Sequence, residues 1–244
     1  MTVPARLFQQ WLGAVAGSTS HAAVCRAAGI KRSTLAQQLV RGRVSTATVA
    51  AISRSLDLPV VSALAAFPAF NDLSSGMKPP TSAELLSQIS DTDLLQEILN
   101  RNTAAASLSS PSPLQLSPAP PSSSVRNWLD AIGRAELRQR IASEAGIAPQ
   151  NLSAQISANR LTVQLAIASA RIAGVGFTNG LVATGFLTPA EAGWLPGSRE
   201  EALRRTANSA LLSLASARLE SLSRVLRRTE EDKAAVQIVW ENLG

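Results

Sequence analysis

This chain is short of the residues from which catalytic sites are most often built. Tyrosine is absent from its 244 residues, cysteine and histidine occur once each, and aromatics make up only 4%. The missing tyrosine excludes DNA strand exchange through a tyrosine nucleophile. A single cysteine, Cys25, cannot form an intrachain disulfide and fits a reducing compartment. Its place in a helical pattern reads as a core thiol. The lone His21 has no acidic cluster near it, no Cys/His/Asp/Glu set is spaced to hold a metal, and no glycine-rich phosphate loop occurs. No catalytic residue, metal or cofactor is expected. No apolar run approaches the roughly 20 residues that span a bilayer, and the N-terminus lacks a charged-then-apolar signal pattern. A cytoplasmic protein is expected. Acid is also missing locally: residues 1–56 hold seven cations and no Asp or Glu, within a net charge of +6. That balance points to a polyanionic partner.

What the chain does have, it has twice. Trp11-Leu12, Ala28-Gly29-Ile30, Leu35 and Gln38 recur as Trp128-Leu129, Ala145-Gly146-Ile147, Leu152 and Gln155 at a constant offset of 117 residues. Val15, Val24, Leu39 and Val44 are matched in that register by Ile132, Ile141, Ile156 and Leu161. The register is expected to slip by one residue after Arg160.

The patterning predicts an all-α protein. In the first repeat, Leu7, Phe8, Trp11, Leu12 and Val15 mark an amphipathic helix over 4–16. Ser18, Thr19 or Ser20 caps a second helix to Ala28, and Gly29 stops it. Ser33 and Thr34 open a third, Ser45 or Thr46 caps a fourth, and Pro59 starts a fifth. A further amphipathic helix covers 81–102, with a break near Ser90-Asp91. Residues 104–124, with five prolines, eight serines and no charge, read as a linker. The second repeat follows from Val125, with Trp194 closing its core. The tail from Ser198 to about Arg228 reads as one long helix. Its Leu212, Ala215, Leu219, Leu222 and Leu226 form a short heptad seam, which either packs on the second domain or supports self-association through the C-terminal helix. The expected domains are 1–103, the 104–124 linker, 125–197 and the 198–244 extension.

The repeated unit reads as a helix-turn-helix: two short helices, a tight glycine turn, and a second helix with a polar outward face. Val24, Ala28, Ile30, Leu35 and Leu39 fall at buried spacing. Lys31, Arg32, Ser33, Thr34, Gln37, Gln38 and Arg41 are left facing out. Arg grips guanine bidentately, Gln does the same to adenine, and Ser or Thr reaches bases or phosphates. Arg43 and Arg54, with Arg41, are candidates for phosphate contacts. The second copy presents Gln150, Asn151, Ser153, Gln155, Asn159 and Arg160. Arg126, Arg134, Arg138, Arg140 and Arg171 are its candidate phosphate contacts. Fewer cations predict a weaker head, or a copy kept for structure.

The stretch from Ala22 to Gly42, followed by the Val49/Ile52/Leu56 helix, resembles the Cro/CI-type (XRE) helix-turn-helix of phage and bacterial repressors. The Ala-Gly-Ile turn, Ser33-Thr34-Leu35 and Arg41-Gly42 carry the likeness. It covers about residues 4–67, and more loosely 125–187. It implies specific operator binding by residues 31–34, 37 and 38, and a phage immunity repressor that maintains lysogeny in a bacterial host. Gln38 departs from the family, which often has an apolar residue there, as do the tandem heads on one chain. Nothing resembles the self-cleaving domain of inducible phage repressors. Two other classes fit the same residues: a helical interaction protein with an incidental basic face, and a non-specific architectural DNA binder.

Overall fold

Every third or fourth residue of the N-terminal segment is apolar, and a helix is the conformation that gathers them. In a computed structural model, which describes residues 1–106, 115–133 and 135–243, helix α1 spans Ala5–Ala16 and buries Ala5, Phe8 and Leu12. Helices α2 (His21–Ala27), α3 (Arg32–Val40), α4 (Thr46–Ser55) and α5 (Val60–Ala65) follow. Ser20 and Ser45 are the caps used: their hydroxyls accept from Ala23 N at 3.3 Å and Thr48 N at 3.0 Å. Strands β1 (Thr2–Pro4) and β2 (Arg43–Ser45), unexpected from the sequence, pair antiparallel with Val3 opposite Val44. Both valines are buried. Three-residue strands are too short to show a period of two, so the pattern could not reveal them.

The segment after α5 turns at Pro68–Phe70 and enters α6 (Ser82–Ser87) through a reciprocal cap between Thr81 and Glu84. The second repeat comprises α8 (Ser124–Ile132), α9 (Ala135–Glu144), α10 (Pro149–Ser157), α11 (Val163–Ala173) and α12 (Phe177–Ala183). Between them lies α7 (Asp91–Ala106), and at the end lie α13 (Ser198–Arg205) and α14 (Asn208–Leu243). The expected break at 90–91 is present, with Ser90 Oγ accepting from Asp93 N at 3.0 Å at the start of α7. The tail is not one helix. It breaks at residues 206–207, where the Arg101 guanidinium takes carbonyls at the end of α13. Arg101 Nη2 donates to Leu203 O at 2.6 Å, and Nη1 to Thr206 O at 2.6 Å and Asn208 Oδ1 at 2.9 Å. The second piece then runs well past Arg228.

Matched core positions are buried in both repeats: Phe8 and Val125, Leu12 and Leu129, Val24 and Ile141, Leu35 and Leu152. Cys25 and its match Ala142 are each 2% exposed, which explains the small residue at that site. The expected one-residue slip does not occur. Thr162 caps α11 as Ser45 caps α4, accepting from Leu165 N at 3.2 Å, and Leu64 and Leu181 are both fully buried. Asp57 and Gly174 also match, both with positive φ, at 54° and 73°.

The chain divides into two compact units, one from Met1–Gln88 and Pro118–Ser198, the other from Ile89–Ser117 and Arg199–Gly244. This partition does not follow the boundaries expected from the sequence: both repeats fall in the first unit. The expected linker spans both kinds of territory. Ser117 N donates to Asp93 Oδ2 at 2.9 Å within the second unit, and Ser124 Oγ to Ala183 O at 2.6 Å within the first. Its residues 107–114 lie outside the described residues. The second unit packs α7 on α14, burying Ile89, Leu94, Ile98, Leu203, Leu211 and Ala215. Arg218 is buried there too, donating to Ile89 O at 2.8 Å and Asp91 Oδ1 at 3.2 Å. Burial lowers its pKa, while the Asp91 carboxylate opposes that shift. Of the expected heptad seam, only Ala215 is in this core. Leu212, Leu219, Leu222 and Leu226 are exposed. Among the described residues, no helix is long and apolar enough to cross a membrane.

Candidate nucleic-acid interface

Residues 28–31 turn the chain from α2 into α3. Ile30 N donates to Cys25 O at 2.8 Å and Ala28 N to Val24 O at 2.9 Å, while Gly29 takes φ 65°, a conformation that costs a side-chain-bearing residue about 1 kcal/mol or more. Leu35 anchors α3 from below at 3% exposure. Above it, Lys31, Arg32, Ser33, Thr34 and Gln37 are all exposed. Arg41 and Arg43 continue this exposed set beyond the helix. Lys31, Arg32, Arg41 and Arg43 form no ion pair among the described residues. Their charge is therefore uncompensated at short range. Helical spacing also places Ala36 and Val40 in line with Arg32, and Val40 is 89% exposed. Their spacing is readable in the sequence, but an apolar side chain carries no polar group that would mark it for DNA.

Two of the expected contacts in this repeat are otherwise engaged. Gln38 is half-buried, and its Oε1 accepts from Ser45 N at 2.9 Å and Thr48 Oγ1 at 3.1 Å. It ties α3 to the cap of α4, which accounts for a polar residue where an apolar one is usual. Arg54 is not free to hold phosphate. Its Nε and Nη2 grip Glu191 at 2.7 and 2.9 Å, and Nη2 also donates to Phe186 O at 2.8 Å. This fork holds the Glu191 carboxyl below its usual range and raises the Arg54 pKa, burial opposing both shifts.

In the second repeat, Gln150, Asn151, Ser153 and Arg160 are exposed, and Gln155 is half-buried like its counterpart Gln38. Asn159, expected to face out, is half-buried. It matches Gly42, takes φ 49°, and turns its side chain inward: Oδ1 accepts from Val125 N at 2.9 Å. Asn is the residue that best tolerates that conformation after glycine, so the turn claims it. Among the candidate phosphate contacts, Arg171 pairs with Asp72 and lies 5.0 Å over the Phe177 ring. Arg138 pairs with Asp130 and Arg140 with Glu144. Arg126 is half-buried, and Arg134 lies outside the described residues.

Away from these candidates, Glu84 of α6 is fully buried as the anchor of a polar chain. It accepts from Thr81 N at 2.9 Å, Trp128 Nε1 at 3.1 Å and Asn179 Nδ2 at 3.2 Å, while Trp194 Nε1 donates to Asn179 Oδ1 at 2.9 Å. Trp194 thus closes the second core, as its position suggested. No group of three or more potential metal ligands is gathered among the described residues.

The class the fold defines is a mainly helical protein built on a duplicated five-helix unit. Comparison with models of protein families, with curated proteins and with solved structures finds no match to this chain.

Proposed function

We propose that this chain is a sequence-specific, double-stranded DNA-binding transcriptional repressor of the phage-immunity type. In this reading α2 and α3 form a helix-turn-helix, and α3 lies in the major groove. The observation that carries it is the outward face of α3. Lys31, Arg32, Ser33, Thr34 and Gln37 project from a helix anchored by Leu35, with the exposed Arg41 and Arg43 beyond its end. Arg32 and Gln37 read base edges, and Lys31, Arg41 and Arg43 hold phosphates and set the register. The second repeat offers Gln150, Asn151, Ser153 and Arg160, a set able to read adenine but with little charge to hold the backbone. Bound across a promoter, such a protein represses by excluding RNA polymerase.

The test is selection of bound sequences from random duplex DNA with the intact chain. A recovered motif that Arg32→Ala or Gln37→Ala alters, while the helical circular dichroism persists, supports the reading. Uniform affinity for all duplexes, with a steep salt slope, would replace it with a non-specific architectural binder. No DNA binding at all would leave a helical interaction protein. One observation favours that last class: Leu212, Leu219, Leu222 and Leu226 are exposed on α14. In that reading they support self-association, which sedimentation of L219E/L226E against wild type would detect.

A further inference from the structure

We infer that the two repeats meet DNA as one rigid ruler, so that the operator is a composite site with a single permitted spacing. This rests on the DNA-reading proposal above and adds the geometry of its partner.

The sequence suggests the opposite, two heads on a flexible tether. Yet both repeats belong to one compact unit: Arg54 reaches from the first to the second directly, and three further sets of contacts tie the 72–84 segment that follows α5 to the second. Arg54, at the end of α4, forks onto Glu191 and Phe186 O. Phe177 N, at the start of α12, donates to Gly76 O at 2.9 Å. Lys78 Nζ donates to Gly174 O at 2.9 Å, and Arg171 pairs with Asp72 while stacking over Phe177. Deepest of all, Glu84 receives the indole of Trp128 and the amide of Asn179.

The backbone joint is tight: a Cβ added at Gly76 would sit 2.0 Å from the Phe177 ring, and one at Gly176 would sit 2.6 Å from Lys78 O. A joint with this little free space is packed rather than hinged. None of these contacts uses the outward residues of α3 or α10. Lys31, Arg32 and Gln37 in one repeat, and Gln150, Asn151 and Ser153 in the other, stay exposed with the joint closed. The joint therefore costs neither surface its access to DNA, and it fixes the displacement between them.

A ruler and a tether respond differently to spacing. Inserting about 5 bp between two half-sites turns one of them to the opposite face of the duplex, since the helical repeat is about 10–10.5 bp. A rigid pair then loses the second head, along with an avidity gain of about a hundredfold or more. A flexible tether long enough to span the gap loses only a few-fold, because effective concentration falls slowly with distance.

The experiment is two-step. Sequences bound by the intact chain are first selected from random duplexes. Affinities are then measured on operators whose two parts are separated by added spacers of 0, 2, 5 and 10 bp. The expected result is a two-part motif of one spacing, with at least about a hundredfold loss at 5 bp for wild type. The D72N/E191Q variant, which removes two carboxylates of the joint and no proposed DNA contact, is expected to lose less at 5 bp. Should that variant fold poorly by circular dichroism, the wild-type spacer series decides alone. A two-part motif indifferent to spacing overturns the ruler and leaves the DNA-reading proposal standing. So does a one-part motif, which would make the second repeat a scaffold. No enriched motif at all overturns both.

Discussion

Gly42 and Asn159 stand at matched positions of the two repeats, and both take the left-handed conformation that ends a helix. In the first repeat the turn is joined to the opening helix through the backbone, Ala5 N donating to Gly42 O at 3.0 Å, beside a two-stranded pairing. In the second, a side chain makes that connection, Asn159 Oδ1 accepting from Val125 N at 2.9 Å. Trp11 and Trp128 diverge in the same way. Trp11 is half-buried, tilted against Phe8 and Phe67 at centroid distances of 5.7 and 5.9 Å. Trp128 is fully buried and donates to a buried carboxylate. The two copies share a core but use these matched positions differently: the backbone and a half-buried indole serve in the first, and a side-chain lock and a buried indole donor serve in the second.

The sharpest way to break this comparison is at the tryptophans. Trp128→Ala empties a sealed core site and strips a donor from Glu84, an expected loss of about 4 kcal/mol. Trp11→Ala, at a half-exposed site, is expected to cost about 2 kcal/mol. Urea unfolding of both variants checks the difference, and equal losses would mean that the two cores are equivalent after all.

The turn residues give the next largest effect. Asn159→Ala loses both the tolerance for positive φ and the lock on Val125 N, about 2 kcal/mol in all. Asn159→Gly keeps the first and loses only the second, about 1 kcal/mol. Gly42→Asn is expected to be nearly neutral. An Asn159→Ala melting curve like that of wild type would return this side chain to the set available for DNA.

DNA affinity should separate the repeats in the same direction. Arg32→Ala, removing a proposed base contact, is expected to weaken operator binding about 5- to 150-fold, from about 1–3 kcal/mol. Arg160→Ala should weaken it only a few-fold, since the surface around it carries little charge. Titration of labelled operator at fixed salt measures both, and a larger effect at Arg160 would reverse the ranking.

The smallest effect is at the joint. The Arg54–Glu191 fork is partly exposed, so Glu191→Gln should cost about 0.5 kcal/mol. Its pH sign is fixed by the depressed Glu191 carboxyl. A carboxyl whose pKa is lower when folded contributes stability above its unfolded pKa, and loses it as pH falls through the folded value. Wild type should therefore lose its margin over Glu191→Gln on acidification below about pH 4, and keep it at neutrality. A margin that grows on acidification would contradict the fork.

Much of the helical scaffold was legible because burial repeats: Val24 with Ile141 and Leu35 with Leu152 fall at helical spacing in both copies. The caps at Ser20 and Ser45 followed from local chemistry. What stayed hidden involves partners far apart in sequence. Arg54 reads as a phosphate ligand until Glu191 folds against it, and the break between α13 and α14 carries no glycine or proline to announce it, only the distant Arg101 on its carbonyls. Asn159 is hard to read for a nearer reason. Its match to Gly42 was readable at the 117-residue offset, but an amide on a polar helix end invited a chemical role before a conformational one.

The order of segments in the two compact units has a consequence for synthesis. The stretch from Ile89 to Ser117 belongs to a unit whose other part begins only at Arg199. On the ribosome, α7 emerges well before the helix that covers Leu94 and Ile98. Roughly 100 residues separate the two, which at about 5–20 residues per second leaves that apolar face uncovered for some 5–20 s. The unit containing both repeats can close during this interval, since its last element precedes α13. The nascent chain thus completes its duplicated body first, while an interrupted helix waits for the tail that will shield it from chaperones and from its neighbours on the polysome.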